Sequence, residues 1–322
     1  MIVLTGGAGF IGSCILAELN RLGRREILVV DTLKGRDDKR PNLAGKVYAG
    51  FMDKHEFLEK IRNNKLDAAV HWFIHMGACS STTLADEQYY RENNYEYSIH
   101  CAQWALAHAA RFVYASSAAT YGDGDQGYSD DPKLTRRLKP LNFYGEYKHR
   151  FDLWVMDHGY DKQVVGLKFF NVFGPNEYHK GDMRSVVCKA YDRVVKEGKM
   201  ALFKSYRPDY GDGEQKRDFI YVKDAVDIVM YFVMHSGVNG IYNVGTGKAR
   251  SWNDLARALF TAAGKPVNIS YMDMPESLRP RYQYFTEADT RRLRASGYRK
   301  EFTPLEEGIK DYCRYLAGHK IW

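Results

Sequence analysis

Short apolar runs alternate with amphipathic stretches along most of the chain. Ile2-Val3-Leu4-Thr5 is followed by a glycine cluster and an amphipathic stretch to about Leu22, which reads as strand, turn and helix. Ile27-Leu28-Val29-Val30 predicts a second strand ending at Asp31, and Val47-Tyr48-Ala49 a third, with Asp53 starting a helix to about Arg62. Ala68 to Ile74 reads as a fourth strand, a long helix carrying Asn93-Asn94 follows to about Ala110, and Arg111 to Ala115 is a fifth strand. Gly122 to Arg137 is polar and glycine-rich, which predicts a surface loop. Beyond it come a helix from Tyr144, a strand from Val164 to Phe169 and a helix from Arg184 to Glu197. A strand at Lys216 to Val222, helices at Asp224–Met234 and Asp254–Ala263, a strand at Gly240–Val244 and a closing helix from Glu306 complete the reading. Repeated strand–helix alternation predicts an α/β fold with a doubly wound parallel sheet.

The first turn adds chemistry to that outline. In Gly6-Gly7-Ala8-Gly9-Phe10-Ile11-Gly12, Gly6 permits a tight turn, Gly9 lets backbone approach a pyrophosphate, and Gly12 allows close helix–sheet packing. The anion would sit at the helix N-terminus, where unpaired N–H groups and the helix dipole favour it. Asp31 stands at the spacing of ~20 residues where a carboxylate meets the adenosine ribose. Together these predict a Rossmann-type dinucleotide site. A carboxylate at Asp31 suits NAD, while Lys34, Arg36, Lys39 and Arg40 offer cations for the 2′-phosphate of NADP, so both cofactors stay open on these residues. Composition shifts after residue 170. Residues 1–170 with about 219–247 are expected to form the dinucleotide-binding domain, and 171–218 with about 248–322 a smaller α/β substrate domain.

Tyr144 and Lys148 are four residues apart on a predicted helix and therefore share one face. A phenol beside an ammonium is expected to titrate below its ordinary pKa of ~10, which would make it a usable base, although on the pair alone a solvated tyrosine with a lysine one turn on is the plainer reading. Ser117 follows the fifth strand, at the carboxyl edge where ligands of this architecture bind, although a strand-end cap is its plainer role. Met76-Gly77-Ala78-Cys79-Ser80 forms another small-residue loop at such an edge.

The chain has 322 residues, 45% apolar and 27% charged, as expected of a globular protein. The five cysteines lie far apart without a CxxC, which argues against a disulfide framework or a metal site, and His75 in an apolar run reads as a core histidine. The net charge of +7 is scattered and not interleaved with aromatics, which fits a phosphorylated small substrate better than nucleic acid. No apolar run approaches the ~18 residues of a membrane span, and Met1 leads directly into a strand, so a cytoplasmic protein is expected.

With Gly6–Gly12, Ser117 and Tyr144–Lys148 in place, the chain resembles the extended short-chain dehydrogenase/reductase family, and within it the ADP-heptose 6-epimerase branch. The resemblance runs through TGGAGFIGS at 5–13, ILVVD at 27–31, GACSSTT at 77–83, NNYEYS at 93–98 and YASSAATYG at 114–122. It continues through FNVFGP at 170–175, HKG at 179–181, KRDF at 216–219 and RYQ at 281–283. It implies tightly held NADP rather than NAD, with Phe10, Ile11, Asp31, Thr32, Lys39 and Lys54 on the adenosine side. Met76, Gly77, Ala78, Cys79, Ser80, Asn93, Lys148 and Val172 would line the rest of the cofactor. Ser117, Asn171, Lys180, Phe203, Arg217 and Tyr282 would meet an ADP-heptose. Tyr144 and Lys180 would be the acid/base pair for inversion at C6 by oxidation and re-reduction, with Ser117 on the developing oxyanion and Lys148 depressing the Tyr144 pKa. A homopentamer that supplies activated heptose to the lipopolysaccharide core is implied as well.

Three features depart from the family's pattern. Met76 replaces the usual Glu and leaves backbone or packing contact, Asp182 and Lys189 differ on the substrate side, and the stretch from Arg207 to Gln215 is longer. Ala118 and Ala119 stand where related 4,6-dehydratases carry an acidic pair, which argues against dehydration. A UDP-hexose 4-epimerase does not account for the HKG segment, and a non-catalytic dinucleotide-binding regulator does not account for retention of both Tyr144 and Lys148.

Overall fold

The computed structural model describes residues 1–322 except 82–83, 277 and 280–281. The last two residues of the GACSSTT motif and Arg281 of the RYQ motif therefore lie outside the described residues.

The strands are β1 Ile2–Thr5, β2 Ile27–Asp31, β3 Gly50–Asp53, β4 Trp72–His75, β5 Arg111–Ser117 and β6 Val165–Phe169. They continue as β7 Asn171–Phe173, β8 Met200–Phe203, β9 Lys216–Tyr221, β10 Gly240–Val244, β11 Ala249–Ser251 and β12 Ile269–Met272. Seven form one sheet in the order β10-β6-β5-β4-β1-β2-β3, with every pairing parallel. The order reverses between β1 and β4, the switch point at which open sheets of this kind bind ligands. Alternation along the strands builds both cores: Ile2, Leu4, Ile27 and Val29 pack into one cluster, and Val3, Leu28 and Val30 into the other. Away from this sheet, β11-β9-β7 form a three-stranded sheet and β12-β8 a parallel pair.

Three expected elements moved. β3 begins at Gly50, because Val47 is held by the side chain of Asn20, whose oxygen accepts from Val47 N at 2.7 Å and whose amide donates to Val47 O at 2.8 Å. β4 begins at Trp72 rather than at Ala68. The long helix before β5 is broken into a helical turn Glu87–Tyr90, a π-helical turn Arg91–Glu96 and an α-helix Tyr97–Ala107. π-turns are rare and concentrate at functional sites. The polar loop after β5 also contains a short helix, Pro132–Thr135, capped by Asp131.

Candidate active site

The glycine turn is built as its residues require. Gly6 has φ +68°, and a Cβ there would lie 2.6 Å from Gly77 N, while a Cβ on Gly12 would collide with the Gly6 carbonyl. The following helix, Phe10–Arg21, starts without a side-chain cap or an acidic residue in its first turn. Its leading N–H groups and the absent Cβ atoms therefore fit a diphosphate brought against the backbone. Asp31, buried at the end of β2, accepts hydrogen bonds from Ala8 N at 2.9 Å and Thr32 N at 2.7 Å, and Lys39 Nζ lies 2.8 Å from its Oδ1. Of the other basic residues nearby, Arg36 pairs with Asp38 and Arg40 with Asp37, while Lys34 is exposed.

The π-turn serves the second wall. It presents Asn93 Oδ1 to Lys54 Nζ at 2.5 Å and carries Asn94 inward, fully buried. Asn94 accepts from Cys79 N at 2.8 Å and donates to Cys79 O at 2.9 Å, fixing the loop of Met76 to Ser80 in the manner of a paired strand. Met76 contributes backbone and packing: its N–H donates to Thr5 O at 3.1 Å and its side chain rests on the larger core. Asn94 escaped sequence reasoning as a site residue, although its place in the Asn93-Asn94 pair was a signal.

Tyr144 and Lys148 lie on the helix Phe143–Asp157, which Asn142 caps by accepting from Gly145 N at 2.9 Å. A Cβ on Gly145 would come within 2.6 Å of the Ala119 carbonyl, so glycine allows this helix to press on the turn after β5. That closeness brings the Tyr144 phenol near enough to Ser117 for the serine hydroxyl to pull on its proton equilibrium. Ser117 caps the turn, its Oγ accepting from Ala119 N at 3.1 Å, which is the plainer of its two expected roles. The expected depression of the Tyr144 pKa by Lys148 is not found. Burial pushes the phenol above its ordinary value, and the downward pull of the nearby Ser117 hydroxyl does not offset it. Lys148 instead donates to Ala115 O at 2.7 Å, and burial brings its ammonium down to about 8 against the opposing charge of Asp152.

Behind this helix lies a buried ion pair that pattern reasoning missed. Lys168 Nζ of β6 and Asp152 Oδ2 are 2.7 Å apart with neither side chain exposed. Tyr114 and Ser116 donate to the carboxylate at 3.0 and 2.7 Å, and Lys168 donates to Thr120 Oγ1 at 2.8 Å. A lysine inside the apolar run Val165-Gly166-Leu167-Lys168-Phe169 was the available signal.

Lys180 reaches the glycine turn from a separate element. It lies on the 3₁₀ turn Tyr178–Met183, half-buried, with its ammonium 5.1 Å from the Phe10 ring centre. Burial lowers its pKa, and the nearby Glu177 carboxylate opposes that shift. Glu177 is itself fully buried, taking hydrogen bonds from Ser185 Oγ at 2.6 Å and Gly174 N at 3.4 Å.

The remaining substrate candidates fall into two groups. Asn171 and Val172 start β7, one exposed and the other half-buried. Phe203, Arg217 and Tyr282 cluster: the Phe203 and Tyr282 rings are 6.4 Å apart, and the Arg217 guanidinium lies 5.2 Å from Tyr282 and 5.9 Å from Trp252. Arg217 is buried, and burial lowers its pKa. It donates to the carbonyls of Lys216 and Gln283, and among the described residues no carboxylate pairs with it. Its neighbour Asp218 accepts from Thr246 N at 2.8 Å, Thr246 Oγ1 at 2.7 Å, Gly247 N at 2.9 Å and Ala288 N at 3.0 Å. Among the described residues no cluster of His, Cys, Asp and Glu has a metal-binding arrangement, and no helix is long and apolar enough to cross a membrane.

Residues 2–245 match the model of the NAD dependent epimerase/dehydratase family. The chain belongs to that family. Within the family it is similar to an ADP-L-glycero-D-manno-heptose-6-epimerase of Nitratidesulfovibrio vulgaris, 50% identical over 319 residues that cover 99% of this chain and 98% of the relative. The enzyme of that name from Fusobacterium nucleatum is 45% identical, with 98% of each chain covered. Among solved structures, the Helicobacter pylori ADP-L-glycero-D-manno-heptose-6-epimerase superposes with a TM-score of 0.80 at 28% identity, covering 98% of this chain and 96% of that one. The Thermus thermophilus UDP-glucose 4-epimerase, solved in complex with NAD, gives 0.77 at 25% identity over 98% and 99% of the two chains.

Proposed function

We propose that the protein interconverts ADP-D-glycero-D-manno-heptose and ADP-L-glycero-D-manno-heptose by oxidation and re-reduction at C6. The observation that carries the reading is the arrival of Lys180 at the Phe10 end of the dinucleotide turn, from an element unrelated to the Tyr144 helix. Inversion at one carbon presents a hydroxyl in two directions, which two acid/base groups on separate elements can serve without the substrate turning over. The nicotinamide, when bound, supplies hydride uptake and return. Tyr144 handles the proton of one epimer's hydroxyl, with Ser117 donating to the developing oxyanion. Lys180 handles the other, its lowered pKa placing the neutral amine nearer to working pH. Arg217 binds the diphosphate, with Phe203 and Tyr282 flanking it and Asn171 meeting the sugar. The full-length identity to two enzymes of this name supports the choice of substrate.

NADP is the proposed cofactor. Lys39 next to Asp31 offsets the carboxylate charge that would repel a 2′-phosphate, and exposed Lys34 adds a second cation. Denaturing the protein and identifying the released nucleotide tests this, and release of NAD alone overturns it. A cytoplasmic homopentamer that feeds lipopolysaccharide core synthesis completes the proposal, and sedimentation analysis tests the assembly. The reaction is tested by offering ADP-D-glycero-D-manno-heptose and following the C6 epimers by NMR. Interconversion that stops in both Tyr144→Phe and Lys180→Met is the expected result. Absence of interconversion by the cofactor-loaded parent chain overturns the reading.

A further inference from the structure

A line of buried polar groups runs beneath the Met76–Ser80 loop and touches it at both ends. Gly77 N donates to Thr5 Oγ1 at 3.2 Å, and Thr5 Oγ1 lies 2.6 Å from His75 Nδ1. His75 Nε2 lies 2.9 Å from Ser98 Oγ, which donates to Asn94 O at 2.9 Å, and the Asn94 side chain holds both polar groups of Cys79. Thr5, His75, Asn94 and Ser98 are all essentially excluded from solvent.

The direction of every bond in this line follows from counting protons. A backbone carbonyl only accepts, so the single hydroxyl proton of Ser98 is committed to Asn94 O. Ser98 Oγ then faces His75 with lone pairs, and His75 Nε2 must carry a hydrogen. Among the described residues no carboxylate meets this buried ring, which excludes the doubly protonated form, so Nδ1 is bare and takes the Thr5 hydroxyl proton. That leaves Thr5 Oγ1 free to accept from Gly77 N–H, as observed. Stacking against Tyr97 and Phe112, each with ring centres 5.9 Å away and planes inclined by 22° and 20°, fixes the imidazole plane. The low basicity expected of such a ring, pushed down to about 3 by burial and the Lys148 charge, agrees with the neutral form.

We infer that His75 is a positioning residue, held as the neutral Nε2–H tautomer, that transmits one oriented hydrogen-bond line from Ser98 to Gly77 and so sets the cofactor-facing loop. The inference rests on the proposed role of that loop in holding the dinucleotide. Reversing any one bond would put two lone pairs or two protons face to face, so the line has one stable polarity. Thr5→Val keeps the shape of the side chain but removes both hydrogen bonds of the hydroxyl, whereas Thr5→Ser restores them.

Two measurements test the inference on the full chain. With histidine labelled in ¹⁵N, one ring should remain in the Nε2–H form without titrating between about pH 5 and 8, and its bare Nδ1 signal should be the one that moves in Thr5→Val. Titration of NADP and NAD should show affinity reduced roughly 10-fold in Thr5→Val and recovered in Thr5→Ser. A ring assigned to His75 by its loss in His75→Gln that reads as Nδ1–H or titrates in that range, or Thr5→Val affinity equal to that of the parent, overturns the inference. A parent chain that binds neither nucleotide overturns instead the cofactor reading beneath it, with the tautomer still readable by NMR.

Discussion

Around the glycine turn, Asp31 takes three hydrogen bonds and Asn94 closes on Cys79 from both directions, so these two side chains are held by partners within the protein. At the Phe203–Tyr282 cluster, Arg217 is buried among aromatic rings and, among the described residues, donates only to carbonyl oxygens, while Lys180 faces the Phe10 ring. The difference suits the proposed division of labour between two walls, in which backbone holds the dinucleotide and side-chain cations meet the substrate. Backbone N–H groups cannot swing toward a pyrophosphate, so their recognition depends on a turn held rigid by side chains behind it. A long cationic side chain can leave its charge uncompensated in a low-dielectric pocket, where an incoming anion recovers far more electrostatic energy than it would in water.

The sharpest way to break the comparison is at the reacting groups. Tyr144→Phe should lower kcat by roughly 10²–10⁴-fold with the bound nucleotide retained, as read by single-turnover NMR and by nucleotide content. Loss of nucleotide together with turnover would assign Tyr144 to the paired wall. Lys168→Met comes next, because it strands the buried Asp152 carboxylate. It should cost about 3–5 kcal/mol of unfolding free energy in urea titrations, and an unchanged midpoint would show that the ion pair does not anchor the Tyr144 helix. Arg217→Met should raise KM roughly 10–100-fold, the worth of a charged hydrogen bond, with a smaller change in kcat. An unchanged KM would remove the diphosphate from this position. The smallest effect concerns pH. Lys148 titrates near 8, below its ordinary value, so its cation is present at lower pH and is lost as pH rises through about 8. If the cation is needed, kcat/KM should fall on that alkaline limb, and a flat profile to well above it would make Lys148 a purely structural group.

Much of the glycine turn and its sheet was legible because their constraints are local. A glycine that must lack Cβ, an apolar run of strand length and a carboxylate at fixed spacing are each visible within a few residues. The shifted β3 depends on Asn20 capturing Val47 across sequence, and the π-turn depends on where Asn93 and Asn94 find partners, so neither shows in periodicity. The direction of the Tyr144 pKa was misjudged for a related reason. Neighbouring charge can be read from i, i+4 spacing, whereas desolvation requires knowing what packs around the phenol, and here desolvation is the larger effect. His75 was legible as a core histidine, but the bonds that orient it come from Thr5 and Ser98, far away in the chain.

Asp218 gives the two walls different histories during synthesis. Its carboxylate gathers Thr246, Gly247 and Ala288, so the strand that carries Arg217 cannot be locked until the chain has grown past residue 288. β1 to β5 can pair well before that, since all their partners lie within the first 117 residues except β6 along one edge. A ribosome-bound chain would therefore complete its glycine turn while Arg217 was still in water, and the charge would be desolvated last.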